Sequence, residues 1–393
     1  MIYLDYAAAT PVSGKALEKM LPFFSDDFFN PSAAYYPAKI IREKYEEAKG
    51  GIAHLIGAKG NDLVITSGAT EANNLAFTSL STSVKPEFEA RKLLPKVLVL
   101  ETEHSAVLEN AKRFPYEFIK VDKNGTILLD DLKKKLSQDV RLISVSLANN
   151  ELGTIQPLAE IAEIVREERI NRLKSGNLNP LYLHSDASQA LNLVDISVSR
   201  LGVDLLTLNS AKVYGPKGVG ALYVAHGVKL SPISYGGGQE NGLRSGTENV
   251  AGVIGFAAAF NEAKTHLASN RKRYTKLTEL LEKELKKAKI EPKFLKPKKS
   301  SLANFCPVCF PGVDAERIIY KLEEKDVYIS TGAACAASKG KKSHVLKAIG
   351  LSDEEIAGSL RITLGNLNTE ENIKEAGRLI CEAVDEEYER IYE

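Results

Sequence analysis

The sequence predicts an α/β protein with a large, mostly parallel seven-stranded sheet and a smaller α/β unit toward the C-terminus. Two observations predict it. Seven short apolar runs, most of them separated by helix-length segments, fill the first two-thirds of the 393 residues, the pattern of a parallel sheet covered on both faces. Beyond about Thr247 the texture changes to a long helical stretch, and then to short strands and helices in alternation. The large unit is assigned to residues 16–260, and the small one to residues 1–15 together with 261–393.

The runs, in order, are "DLVITSG" (62–68), "KVLVLE" (96–101), "EFIKVD" (117–122), "RLISVSLANN" (141–150), "LYLHSDAS" (181–188), "DLLTLNS" (204–210) and "VGALYV" (219–224). Between and before them, "ALEKMLPFF", "AKIIREKYEEAKGGIAHLIG" and "AEIAEIVREERINRL" carry the spacing of amphipathic helices. The longest aliphatic stretch, "VAGVIGFAAAF" (250–260), reads as a buried helix; it is shorter than the ~20 residues that cross a bilayer. The helical stretch runs on to about Leu285. The lysine- and proline-rich "KKAKIEPKFLKPKKSS" that follows is expected to be a solvated hairpin or linker, and "LANFCPVCF" a strand.

Fifty-two basic and fifty-one acidic side chains leave a formal net charge of +1, no field for holding a phosphate polymer, so nucleic-acid binding is not expected. The start, "MIYLDYAAATPVSG", lacks the apolar core of a secretory signal. Four cysteines at irregular spacing make no disulfide framework, which fits a reducing cytoplasm. Cys306 and Cys309, three apart on a strand, point to opposite faces and are read with Cys381 as packing residues; no metal site is expected. Cys335 differs. Its surroundings, "TGAACAASKGKKS", are too poor in bulky apolar residues to be core, and a reachable cysteine beside lysines is the kind kept for chemistry.

The polar residues gather where strands end, the place where open α/β sheets bind ligands. In "TSGATEANN", Gly68, Ala69 and Thr70 open a helix and offer backbone N–H groups to an anion. "HSDASQ" ends a strand with Asp186 and adds Gln189. "LNSAKVYGPKG" sets Lys212 just past another strand, where loss of solvent frees an amine. An anion cradle, a carboxylate, a glutamine and a strand-end lysine together suggest pyridoxal 5′-phosphate. His104, beyond the strand at 96–101, is placed to cover the ring.

With these pieces assembled, the sequence resembles the class V aminotransferase-like branch of pyridoxal-phosphate enzymes, and within it the cysteine desulfurases. The resemblance rests on an ordered set running through nearly the whole chain: "YLDYAAATP", "NPS", "TSGATEANNLA", "EHSAVLE", "ANNELGTIQP", "HSDASQ", "KVYGPKGVGALY", "GGGQENGLRSGTEN", "TGAAC" and "LRITLG". It implies fold type I of the pyridoxal-phosphate-dependent transferases. It also implies that Lys212 forms the Schiff base, Asp186 pairs with the pyridinium nitrogen, Gln189 bonds the ring oxygen and His104 stacks on the ring. Asn150 would lie near the ring oxygen and substrate. Ala69, Thr70 and Asn209 would meet the phosphate, and Thr247 would reach it across a homodimer interface. Arg361 would grip the substrate carboxylate as a bidentate fork. Cys335 would be the nucleophile that takes sulfur from L-cysteine as a persulfide, releasing alanine, and passes it to a protein acceptor such as an iron–sulfur scaffold or a tRNA-thiolation protein. Gly332 and Gly340 would let its loop move, and Lys339, Lys341 and Lys342 would favour the thiolate.

Three positions depart from the family pattern. Ala211 and Asn209 stand where a histidine and a serine usually touch the phosphate, which implies altered cofactor affinity. Tyr35 stands where a histidine is frequent. Two other readings stay open from sequence: another reaction on the same fold, such as a selenocysteine lyase or aminotransferase, and a non-catalytic sulfur-relay or scaffold protein.

Overall fold

A computed structural model describes residues 1–80, 95–332 and 342–392. After a short strand β1 (Ile2–Tyr3), seven strands form the large sheet: β2 (Leu63–Thr66), β3 (Lys96–Leu100), β4 (Tyr116–Ile119), β5 (Val140–Ser144), β6 (Tyr182–Asp186), β7 (Leu205–Asn209) and β8 (Gly220–Val224). Their order is β2-β8-β7-β6-β5-β3-β4. Every pairing is parallel except the two made by β8, which runs against both of its neighbours. The seven apolar runs are these seven strands. Burial of both faces explains why β5 is buried at every position and why the runs lack a period of two.

The chain leaves the sheet's middle in opposite directions, from β3 outward to β4 and from β5 through β6 and β7 to β8. A crevice therefore opens at the carboxyl ends of β3 and β5, where such sheets bind ligands. Helices α1 (Gly14–Met20), α2 (Tyr36–Leu55), α3 (Ala69–Phe77), α4 (Ser105–Ala111) and α5 (Leu158–Lys174) accompany these strands. Ser13 caps α1 by accepting from the Ala16 N–H at 3.2 Å, one of the four donors a helix start leaves open.

The helical stretch expected to run unbroken to Leu285 is two helices, α6 (Val250–Thr265) and α7 (Leu267–Leu285), parted at His266. Their surroundings account for the break. The aliphatic α6 is buried against α1 and α2, whereas the charged α7 lays one apolar face on the last helix of the chain. A straight rod could not serve both contacts.

A second, four-stranded sheet, antiparallel throughout, follows: β9 (Lys293–Phe294), β10 (Phe305–Cys309), β12 (Ser330–Thr331) and β13 (Ser359–Thr363), ordered β12-β13-β10-β9, while β11 (Val327–Tyr328) lies outside it. Helices α8 (Ala315–Glu323), α9 (His344–Ala348) and α10 (Glu370–Tyr392) complete it. The lysine-rich stretch expected to be a linker or free hairpin supplies β9, the edge strand. Its lysines keep that edge from pairing further, and Lys293 bonds Glu355 at 2.6 Å. β11 pairs with β1, and Asp5 bridges to Thr363 on β13. The N-terminal segment is thereby laid against the second sheet, with residues 5–10 facing the crevice of the first.

Candidate active site

Four of the sequence-singled residues stand at strand ends of the large sheet. Asp186 closes β6, its Oδ1 accepting from the Ser188 N–H at 2.9 Å and its Oδ2 from Asn73 Nδ2 at 2.8 Å. Beyond β7, the turn Ser210–Lys212 is capped by Asn209, whose side chain accepts from the Ala211 N–H at 3.2 Å. This bond uses Asn209 Oδ1, so Nδ2 is the donor Asn209 can offer a ligand. Lys212 Nζ then reaches back to the carbonyls of Ala7, at 2.7 Å, and Ala8. Gln189 Nε2 donates to the same Ala7 carbonyl at 2.9 Å. One N-terminal carbonyl thus draws Lys212 and Gln189 together.

His104, past β3, caps α4: its Nδ1 accepts from the Ala106 N–H at 3.1 Å. Its ring is open to solvent yet crowded by protein, the combination a cleft produces. Burial, reinforced by the positive charges of Lys212 and Arg361, holds its pKa below the usual histidine range against the pull of Asp186. The ring is therefore neutral at neutral pH. With Nδ1 accepting, its proton is assigned to Nε2.

Arg361, on β13, is buried and donates to the Asn150 carbonyl at 3.2 Å and to Asp5 Oδ1 at 2.8 Å. Its Nε has no hydrogen-bond partner among the described residues. Two of its donors are thus fixed on protein acceptors, and Asn150 and Arg361 are brought together. Thr247 stands apart, exposed in the loop that opens α6. Tyr35 is exposed as well, its ring 6.1 Å from that of Phe29. Cys335, Lys339, Gly340 and Lys341 lie outside the described residues. The other three cysteines are buried. Burial pushes the Cys306 thiol well up and those of Cys309 and Cys381 up to about 11, so all three stay protonated and inert.

The sequence reading passed over several residues that the structure adds. Asp5, Ala7 and Ala8 lie inside "YLDYAAATP", and Asn73 inside "TSGATEANN", yet no local pattern marks their partners. Glu103 and Glu151 are fully buried carboxyls. Burial raises both pKa values, Glu151 to about 7, while Ser146 and Ser343 respectively hydrogen-bond them. His344 Nε2 bonds the Glu103 carbonyl at 2.9 Å, joining α9 to the start of α4.

Comparison with known proteins bears on this arrangement. The class-V aminotransferase family model matches residues 2–375. The chain belongs to the class-V aminotransferase family. Among curated members it is 41% identical over 380 residues to cysteine desulfurase IscS 1 of Archaeoglobus fulgidus, covering 95% of this chain and 94% of that one. It is 38% identical to cysteine desulfurase IscS of Dictyoglomus turgidum, covering 95% and 91%. A solved NifS-like protein superposes with a TM-score of 0.87 at 32% identity, covering 97% of this chain and 98% of that one. A structure described as SspA in complex with cysteine gives 0.77 at 31% identity, covering 93% and 99%.

Members of this family depend on pyridoxal 5′-phosphate, and the residues present fit it. The cofactor needs an anion site, an amine and an acidic partner for its ring nitrogen. Helix α3 starts at Ala69 with no side-chain cap, so the N–H groups of its first turn are left for an anion. Gly68 precedes it with φ 150°, a conformation that residues with a side chain rarely adopt, and no atom lies within 4 Å of where a Cβ would stand. Asp186 and Lys212 would supply the acid and the amine.

Proposed function

We propose that the protein is a cysteine desulfurase, converting L-cysteine to L-alanine and passing the sulfur to a protein acceptor through a persulfide on Cys335. The observation that carries the reading is the gathering of Lys212, Gln189, Asp186 and His104 at neighbouring strand ends, with Arg361 facing them from the second sheet. In this reading the first turn of α3, with Ala69 and Thr70, and Asn209 hold the cofactor's phosphate, Asp186 meets its ring nitrogen and Gln189 its ring oxygen. When bound, the cofactor supplies an electron sink for the carbon next to the substrate carboxylate.

The chain's own residues do the rest. Arg361 and Asn150 orient the amino acid by its carboxylate end. Lys212 takes the proton from the substrate's α-carbon, and His104, neutral with its proton on Nε2, is suited to return one. Cys335, as thiolate, attacks the substrate sulfur. A sulfur–sulfur bond forms, the substrate's carbon–sulfur bond breaks, and the electron pair stays with carbon and is protonated. L-cysteine and one enzyme thiol thus become L-alanine and one enzyme persulfide, with no oxidant needed. In this reading the protein is a homodimer, as the resemblance to the desulfurases implies, and the exposed Thr247 completes the phosphate site of the partner subunit.

Intact mass after brief exposure to L-cysteine, with alanine assayed alongside, tests the proposal. One added sulfur on the wild type, absent from Cys335→Ala, supports it. A holoprotein that gains no sulfur would rule out the persulfide route.

A further inference from the structure

The two donors that hold Asp186 come from different places. The Ser188 N–H is local, two residues on in the same turn. Asn73 comes from α3, 113 residues away in sequence, and is fully buried. The orientation of its amide follows from its partner: turned over, it would set Oδ1 against a carboxylate oxygen. Having committed its NH₂ to Asp186, Asn73 is left with Oδ1 buried and, among the described residues, without a hydrogen-bond partner. A buried unpaired carbonyl oxygen costs stability. Ala72 and Ala76, on the same helix, fill core positions with plain apolar groups. An amide kept at such a cost where its neighbours are apolar marks a position held for function.

We propose that Asn73 is a positioning residue that clamps Asp186 in one orientation toward the cofactor's ring nitrogen; this rests on the pyridoxal-phosphate reading above. With one donor on each oxygen, turning the carboxylate breaks both bonds, and each oxygen keeps a lone pair for the ring. Helix α3 then acts at two points. The N–H groups of its first turn face the anion, and Asn73, one turn further along, fixes the acid.

The test uses wild type, Asn73→Ala and Asn73→Asp, each loaded with pyridoxal 5′-phosphate. The absorption of the bound cofactor is followed against pH, beside its dissociation constant, kcat and the KM for L-cysteine. In Asn73→Ala the midpoint of the spectral titration should move by about half a pH unit or more. Its kcat should fall about tenfold while KM stays within about twofold, as for a loss of alignment felt in the transition state. Asn73→Asp sets a second carboxyl against Asp186. The pair can share one proton at low pH and repels at high pH, so this variant should approach the wild-type spectrum only toward low pH. Should Asn73→Ala not fold, the two pH limits of Asn73→Asp still decide. Variants that melt earlier but match the wild-type spectrum and its titration overturn the proposal alone. A wild type that takes up no cofactor overturns the cofactor reading and the proposal together.

Discussion

Asp5 and Arg361, 356 residues apart in sequence, form an ion pair at 2.8 Å between the N-terminal segment and β13. Burial raises the Asp5 pKa in spite of the attraction of Arg361, and desolvation offsets much of what a pair of this kind returns. Its use is geometric. With Asp5 on Nη2 and the Asn150 carbonyl on Nη1, the guanidinium has one orientation.

Removing one partner of such a pair leaves a buried charge. Asp5→Ala should destabilise the protein by about 3 kcal/mol and raise the KM for L-cysteine, read from denaturation midpoints and steady-state kinetics. Asp5→Asn keeps an acceptor and should lose about half as much. A KM that falls in either variant would mean that Asp5 competes with the substrate carboxylate for Arg361.

Lys212 Nζ donates to the backbone carbonyls of Ala7 and Ala8, which hold the amine at the end of β7 where a cofactor aldehyde could take it over. Borohydride reduction of the holoprotein should fix pyridoxal 5′-phosphate on the peptide bearing Lys212. Lys212→Ala should lose alanine formation by about 10³-fold or more, since the proton acceptor goes with the amine. Cofactor fixed on another lysine would refute the assignment.

Six of the seven strands were legible because each is a continuous apolar run ended by polar residues, the form that burial on both faces imposes; the edge strand β4 is only partly buried, with Glu117 and Phe118 exposed. Asp186, Lys212 and His104 stood out for the related reason that each lies at, or within four residues past, the carboxyl end of such a run. The break at His266 was not, because neither glycine nor proline marks it and only the differing partners of α6 and α7 require it. Nor was β9, whose two residues are recruited by β10 out of a stretch that reads as solvated surface. Pairings such as Asn73 with Asp186 and Asp5 with Arg361 join residues with no shared local pattern. Only the fold sets them side by side.

His104 has a pKa held below the usual histidine value near 6.5, chiefly by burial. A depressed histidine binds its proton more weakly folded than unfolded. Its contribution to stability is therefore whole above about pH 6.5 and is lost as pH falls through the lower folded value. Protonation also puts a hydrogen on Nδ1 and ends its acceptance from Ala106. Activity and the stability of α4 should fail together on the acid side. His104→Asn retains a capping acceptor and should stay within about 0.5 kcal/mol of wild type, while His104→Ala should lose about 1 kcal/mol. Both should lose turnover about a hundredfold. Equal stability of the two variants would remove the capping role.

Glu151 gives the opposite sign. Its carboxyl is fully buried, its pKa is raised to about 7 by that burial, and it accepts from Ser343 Oγ at 2.5 Å near Arg361. A raised carboxyl binds its proton more tightly folded than unfolded. The stability it contributes is whole below the unfolded value near 4.3 and is lost as pH rises through about 7. Glu151→Gln keeps an acceptor for Ser343 and cannot ionise. Relative to wild type it should therefore gain about 2–3 kcal/mol between pH 5 and pH 8, read from urea denaturation at the two values. A difference that does not change between them would place the Glu151 proton elsewhere, with Arg361 holding the group ionised throughout.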